Sequence, residues 1–371
     1  MKRKTWMIYA MVFMACFGVL HVLKTLMEPS GPVSVESRES GGPEGTREAK
    51  TGEEWEEPAG PALATDSQAQ EPQDEVIRQE GYKEWKKKFP GMWTPPQAPE
   101  EPYIPPRLIL ATDLHYQSAL AGDGGEAFRL FVERSDGKVV QYLPELLEAF
   151  LDEVIEERPS ALVLSGDITM NGERLNHEEL AARLKRVQDA GIQVLVIPGN
   201  HDINNHDASV YYGARKEPAP YIDGPEFHEI YHEYGYDQAL SRDDSSLSYV
   251  YALDDRNWLL MLDSCQYEPD NKVEGRLKDS TMAWADEQLA RAKEEGVFVI
   301  PIAHHNLLAQ SRMYTTQCAM DNNKEVISLL QKYELPLFFS GHLHVQRIRK
   351  HKSEPGVPEG NYGIQEIVTD D

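Results

Sequence analysis

The chain has 371 residues and a formal net charge of −25, from 37 Lys and Arg against 62 Asp and Glu. Wrapping long nucleic acid requires clustered basic surface, so this balance argues against such a partner. The three cysteines, Cys16, Cys265 and Cys318, are too few for a disulfide scaffold, and the fold must rest on packing.

Lys2, Arg3 and Lys4 precede an apolar run from Trp6 to Met27, broken only by His21, Lys24 and Thr25. About 20 apolar residues span a bilayer, and flanking positive charge stays cytoplasmic. Residues 1–27 therefore read as an uncleaved anchor of a single-pass cell-membrane protein whose remaining chain is extracytoplasmic. A cleaved signal and a lipoprotein signal ending at Cys16 are the alternatives, although Phe13-Met14-Ala15 makes a poor lipobox. Residues 28–106 are rich in Pro, Gly, Ser and Glu with almost no aliphatic periodicity, the composition of a solvated acidic tether. Tyr82, Trp85, Phe89 and Trp93, set among lysines, are the exception and suit contact with a membrane surface or with the folded domain.

Residues 107–371 are long enough for one domain with a full core. Leu108 to Ala111 reads as a buried strand. Leu146, Leu147, Phe150, Leu151, Val154 and Ile155 follow helical spacing, and Pro159 ends that helix. Ala161 to Leu164 is a second strand. Asn176 and Glu179 resemble a capping box ahead of the apolar face Leu180, Leu184 and Val187, with Gly191 as the C-terminal cap. Val194 to Ile197 is a third strand. Ser248 to Leu253 and Trp258 to Leu262 flank a polar turn and read as a hairpin. Two helix-strand pairs follow, Thr281 to Glu295 with Val297 to Ile302, and Lys324 to Tyr333 with Leu337 to Phe339. Cys265 and Cys318 read as unpaired thiols.

Polar residues follow directly after five of these strands: Asp113 and His115, then Asp167, then Gly199-Asn200-His201-Asp202, then His304-His305, then Gly341-His342-Leu343-His344. In open α/β sheets, ligands gather outside the carboxyl ends of strands, so the five clusters are expected to converge. Each has a plain structural reading by itself: Asp113 as a turn cap, His115 as a satisfied core histidine, Asp167 as the start of a loop, and His342 and His344 as an exposed edge. Together they offer carboxylate, amide and imidazole donors, a mixture that suits Zn, Mn, Fe or Co rather than Mg or Ca. Seven donors exceed one tetrahedral ion. A carboxylate shared between two ions about 3.5 to 4 Å apart accounts for the number.

In order and type these motifs resemble those of the calcineurin-like metallophosphoesterase superfamily, over about Leu108 to Thr369. The resemblance is nearest to the branch of cyclic-nucleotide and glycerophosphodiester phosphodiesterases. It implies an α/β fold, a four-layer αββα sandwich of two mixed sheets flanked by helices. It also implies a dinuclear centre of two divalent transition-metal ions. One ion would be held by Asp113, His115, Asp167 and His344, and the other by Asp167, Asn200, His304 and His342. His305 would stand behind the ligands or be structural. His201 would contact the phosphoryl group, with Asp202 orienting it. The implied activity is hydrolysis of a small phosphoester, read as a phosphodiester. A phosphomonoesterase, a nucleotide or lipid-headgroup pyrophosphatase, and a non-catalytic surface binding protein are the alternatives.

The insertion between Asp202 and Tyr249 carries Tyr211, Tyr212, Tyr221, Tyr231, Tyr234 and Tyr236, which suit either a cap over the site or a packed excursion. Arg312, Tyr314 and Asn322 are candidate substrate contacts by position alone. His177, His206, His228 and His232 match no motif and read as surface or core. In the superfamily further strands follow the last His-x-His, whereas here only residues 345–352 and 364–369 do so, and the terminus is open to being genuine or truncated.

Overall fold

The computed structural model describes residues 103–135, 137–310, 318–351 and 364–369. The expected anchor, nearly all of the tether, and Arg312 and Tyr314 lie outside the described residues. Among the described residues no helix is long and apolar enough to cross a membrane.

The elements in chain order begin with β1 (Leu108–Ala111), α1 (Glu126–Glu133), α2 (Leu143–Glu157), β2 (Ala161–Ser165), α3 (Arg174–Asp189) and β3 (Gln193–Ile197). Next come β4 (Ser209–Tyr212), β5 (Arg215–Pro218), α4 (Gly224–Tyr231), β6 (Ser241–Arg242), β7 (Tyr249–Ala252) and β8 (Asn257–Leu262). The last are α5 (Asp279–Glu295), β9 (Phe298–Ala303), α6 (Asn323–Lys332), β10 (Leu337–Ser340), β11 (Arg347–Lys350) and β12 (Gln365–Val368).

β1, β2 and β3 form a three-stranded sheet with both pairings parallel, Leu108 opposite Ala161 and Ala161 opposite Gln193. Helical crossovers return the chain to the same end each time, which a parallel sheet requires. A seven-stranded sheet runs in the order β11-β12-β10-β9-β8-β7-β6, parallel through β8, β9, β10 and β12 and antiparallel at both edges. Among the described residues only this larger sheet is mixed, so the expectation of two mixed sheets is corrected for the three-stranded one, whose pairings are both parallel. Both segments after His344 are strands and join the large sheet.

Alternation along the strands builds the layers. Tyr249, Tyr251, Leu259 and Met261 face the core that contains β1, β2 and β3, together with Leu147, Leu151 and Val154 of α2 and Leu180, Leu184 and Val187 of α3. Val250, Trp258, Leu260 and Leu262 face the opposite way, onto Leu289 of α5 and Val326 and Leu330 of α6. The arrangement is helix, sheet, sheet, helix. Each fully buried Leu or Val contributes roughly 1.5 to 3 kcal/mol of transfer free energy, so the two interlayer cores, rather than any covalent link, hold the strand ends in place.

α2 stops where expected: Arg158 adopts φ +48° and Pro159 cannot continue the helix. The start of α3 differs from the sequence reading. The helix begins at Arg174, one turn early, and Asn176 is buried inside its first turn. Its amide accepts from the Ser118 N–H at 2.9 Å and donates to Glu173 Oε2 at 2.7 Å, so it tethers the loop after β1 instead of capping α3. A genuine capping box occurs at Asp223 and Glu226 on α4. Cys265 and Cys318 are both buried and not disulfide-bonded. Tyr103, which the sequence reading leaves in the tether, is fastened to the β7–β8 turn: its hydroxyl donates to Asp254 Oδ2 at 2.7 Å and Arg256 lies over its ring.

The tyrosines of the insertion divide. Tyr211, Tyr231, Tyr234 and Tyr236 are buried, whereas Tyr212 and Tyr221 are exposed. This is a packed excursion built from β4, β5 and α4.

Candidate metal centre

The five polar clusters stand at the carboxyl ends of β1, β2, β3, β9 and β10, and the parallel strands bring them together. Their backbone is unusual. Asp113, His115, Asp167, His342 and His344 have φ of 55°, 43°, 47°, 74° and 50°, five of the eight non-glycine residues with positive φ among the described residues. Each left-handed residue costs on the order of 1 kcal/mol or more, and surrounding structure must hold it there. Two glycines make the crowding feasible. A Cβ on Gly199 would lie 2.1 Å from the Asp167 nitrogen, and one on Gly166, at φ +99°, would lie 2.7 Å from the His304 ring.

One group of donors converges from β1 and β10. His115 Nε2 and His344 Nε2 are 3.2 Å apart with their rings stacked. Asp113 Oδ1 is 3.5 Å from His344 Nε2 and 4.0 Å from His115 Nε2. The other oxygen of Asp113 is occupied, accepting from Thr112 Oγ1 at 2.7 Å and the His342 N–H at 2.8 Å. Oδ1 itself is buried without a hydrogen-bond partner. An orphaned, buried carboxylate oxygen is costly, and its position beside two imidazole nitrogens is what a cation would satisfy.

A second group surrounds His304. Its Nδ1 lies 3.1 Å from the Ser165 carbonyl, which only accepts, so Nδ1 carries a proton and Nε2 is the nitrogen turned to the site. Nε2 faces Asn200 Oδ1 at 3.2 Å and Asp167 Oδ2 at 3.3 Å, where a proton or a cation satisfies all three atoms. Asp167 Oδ2 is also 4.0 Å from His115 Nε2, which places it between the two groups. The His342 ring packs edge-on against His304, with centroids 5.1 Å apart. Asp113, Asp167 and His304 offer ligand atoms within 4.8 Å of one another, as do Asp113, His115 and His344. All seven sequence-predicted ligands are therefore brought together, and the donor set fits two divalent ions.

The electrostatics point the same way. Burial works against a charge on His304, but the carboxylates of Asp167 and Asp113 push its pKa up to about 9. Burial likewise opposes ionisation of Asp167, yet His304 and His201 hold it well below the usual carboxylate range. Asp113 moves up, by burial first and then by the charge on Asp167. Two carboxylates and several imidazoles in one dry pocket need added positive charge.

The His305 ring is engaged differently from that of His304, although the two share a group of possible ligand atoms with His342. His305 Nδ1 is 2.8 Å from Ser264 Oγ and Nε2 is 3.0 Å from the Val273 carbonyl, so both ring nitrogens are engaged. Burial holds its pKa well below the ordinary value. It is a neutral wall against which the His342 ring packs at 4.6 Å.

His201 and Asp202 depart from expectation. The Asp202 carboxylate accepts from Gly199 N (2.8 Å), Ile168 N (3.2 Å), Thr169 N (2.9 Å) and Thr169 Oγ1 (2.8 Å), tying the β2 and β3 turns together. These bonds take up both of its oxygens. His201 Nδ1 instead meets the Met170 carbonyl at 2.8 Å and Asn171 Oδ1 at 3.1 Å. The expectation that Asp202 orients His201 is corrected: a fully buried carboxylate takes the nearest backbone donors, and the ring is held by the loop after Asp167. Asn171 is the residue the sequence reading missed. The only local signal there is an Asn-Gly pair, which favours a turn and says nothing of a contact with His201. His201 Nε2 then points into the site, 4.0 Å from Asp167 Oδ2, on a side chain about one third exposed.

Asn322 is also corrected. It is buried, with its amide accepting from the Leu277 N–H at 3.2 Å and donating to the Leu277 carbonyl at 2.9 Å, which leaves it no role toward substrate. Beside Asp113 and His115 opens a cavity of about 570 Å³ walled by Leu110, Val139, Leu143 and Phe150, with Lys138 the one Lys or Arg among the described residues that line it.

The profile of the calcineurin-like phosphoesterase family matches residues 106–346, more than half of the chain. The chain belongs to the calcineurin-like phosphoesterase family. Among its relatives, an uncharacterized metallophosphoesterase of Bacillus subtilis, YkuE, is 30% identical over 110 residues, 29% of this chain and 38% of that protein. A probable cyclic nucleotide phosphodiesterase of Psychrobacter arcticus is 25% identical over 250 residues, 66% of this chain and 76% of that one. The glycerophosphodiester phosphodiesterase GpdQ of Enterobacter lignolyticus is 28% identical over 192 residues, 51% and 58% of the two chains. The match therefore spans less than two thirds of the first and third of these relatives. In fold this phosphoesterase is similar to a dimetal phosphatase from Danio rerio, with a TM-score of 0.51 at 16% identity, covering 72% of this chain and 88% of that one.

Proposed function

We propose that this phosphoesterase is a phosphodiesterase that uses two divalent transition-metal ions, held by Asp113, His115, Asp167 and His344 and by Asp167, Asn200, His304 and His342. The observation that carries the reading is the convergence of Asn200 Oδ1 and Asp167 Oδ2 on His304 Nε2, at 3.2 and 3.3 Å from it, next to the orphaned Asp113 Oδ1. Ions bound there would lower the pKa of a water and polarise the phosphoryl oxygens.

The chain's own groups supply the rest. Asp167 spans both sites and fixes their separation. The Met170 carbonyl keeps the proton on His201 Nδ1, so Nε2 is the atom that exchanges a proton with substrate. In its protonated form it donates to a phosphoryl oxygen or to the departing alkoxide, a role worth typically 10² to 10⁴ in rate. The cavity next to Asp113 and His115 has room for the organic substituent of either ester class. Two relatives with phosphodiesterase in their names support a diester.

Hydrolysis of bis(p-nitrophenyl) phosphate against p-nitrophenyl phosphate, with metal content measured on the same sample, tests the proposal. Two bound ions with preference for the diester are expected. Preference for the monoester overturns the substrate class, and bound metal with no turnover on a broad phosphoester panel turns the site into a binding module. The anchor at residues 1–27 remains part of the proposal on its charge and apolar length. Sequencing the N-terminus of the membrane-extracted protein tests it, and a start at residue 16 or later refutes it.

A further inference from the structure

Glu366 lies on β12, outside every motif of the site, and is fully buried. Its strand pairs in parallel with β10, Glu366 opposite Phe338 and Val368 opposite Ser340. Oε1 accepts from the Leu307 N–H at 2.6 Å and from Ser340 Oγ at 2.8 Å. Oε2 accepts from the Leu308 N–H at 2.8 Å and from Gln310 Nε2 at 2.7 Å. All four donors belong to the segments that carry the histidines read as ligands, residues 304–310 after β9 and residues 340–344 at the end of β10. The link continues through Asn306, whose Nδ2 donates to Ser340 Oγ at 2.9 Å and to the Gly341 carbonyl at 3.0 Å. The Gly341 N–H donates to the His304 carbonyl at 2.9 Å.

A carboxylate in a dry interior is costly unless its acceptors are filled. An apolar side chain at this strand position would pack without that cost, but it would leave the Leu307 and Leu308 N–H groups without their acceptors. The carboxylate therefore does something an apolar residue cannot: it joins two turns that are more than thirty positions apart in sequence. We propose that Glu366 is a positioning residue for the metal centre, holding the His304 and His342 turns at the separation the second ion requires. The proposal rests on the reading of these histidines as ligands.

The test uses the full chain, stripped with a chelator and titrated calorimetrically with Mn²⁺, for wild type, Glu366→Gln and Ser340→Ala. In Glu366→Gln the amide NH₂ must face one of the two backbone N–H donors, so one turn loses its tie while the shape of the side chain is kept. Loss of a group that orients metal ligands typically lowers metal affinity 10- to 100-fold. The expected result is a 10- to 100-fold weaker second Mn²⁺ in Glu366→Gln, a smaller loss in Ser340→Ala, and turnover restored by excess Mn²⁺. The stripped proteins are melted in parallel. A lower melting temperature with both Mn²⁺ affinities unchanged would show a purely structural role and overturn the proposal. Should Glu366→Gln not fold, unchanged Mn²⁺ affinities in Ser340→Ala overturn it as well. Wild type that takes up no Mn²⁺ would overturn the ligand reading together with it.

Discussion

Asp167 and His201 are joined through different oxygens of one carboxylate: Oδ1 accepts from the His201 N–H at 2.7 Å, and Oδ2 faces the His201 ring nitrogen at 4.0 Å. One side chain thus fixes the β3 turn and supplies the atom shared by both donor groups. Replacing Asp167 with Ala is expected to abolish binding of both ions and all measurable turnover. Elemental analysis of the purified variant checks this, and two retained ions would contradict the shared position.

The His201 ring turns Nε2 to the site, its Nδ1 being held by the loop after Asp167. The variant His201→Asn should lose turnover by roughly 10² to 10⁴ with metal content intact. Asn171→Ala, which leaves the Met170 carbonyl in place, should lose about tenfold or less, because one of two ring partners remains. Steady-state kinetics on a phosphodiester compares the two, and equal losses would argue against the division of roles.

Asp202 meets four donors, three of them backbone N–H groups. Each buried donor left unsatisfied costs roughly 1 to 3 kcal/mol, so Asp202→Ala should lose about 3 to 5 kcal/mol of stability. Urea denaturation reads this directly. An unchanged midpoint together with impaired turnover would restore Asp202 to the catalytic role the sequence suggests.

His177 is buried on α3, its Nε2 2.9 Å from the Asp202 carbonyl and its Nδ1 3.0 Å from the Tyr231 hydroxyl. Burial, offset in part by the Asp202 carbonyl, pushes its pKa down to about 3. The folded protein therefore keeps this ring neutral at pH values where the unfolded chain, with a pKa near 6.5, takes up a proton. Its contribution is fully present above pH 6.5 and is lost as pH falls from there toward 3. Between pH 6.5 and 5 the loss is about 2 kcal/mol. A shallower decline in denaturation free energy over that interval for His177→Gln than for wild type is expected, and parallel curves would refute the assignment.

The strands that carry the site are legible because each is a short apolar run ending in polar residues, and because parallel strands aim those residues at one end of the sheet. Asp113, Asp167, His304 and His342 needed no more than that pattern and the order of their motifs. The spacing of Leu147, Leu151 and Val154, closed by Pro159, placed α2 for the same reason.

Hydrophobic periodicity reports which face of an element is buried, and so the sequence by itself determined most strands and helices and the polar clusters at the strand ends, while the layer order was implied by the family resemblance. It carries no record of which distant group a polar side chain meets. Tertiary structure alone decided that Asp202 turns to the backbone of the β2 turn, that Asn171 holds His201, that Asn176 reaches Ser118, and that Glu366 joins two turns across β10. Hydrogen bonds are short-ranged and directional, so these partnerships exist only once packing has brought segments remote in sequence to within about 3 Å.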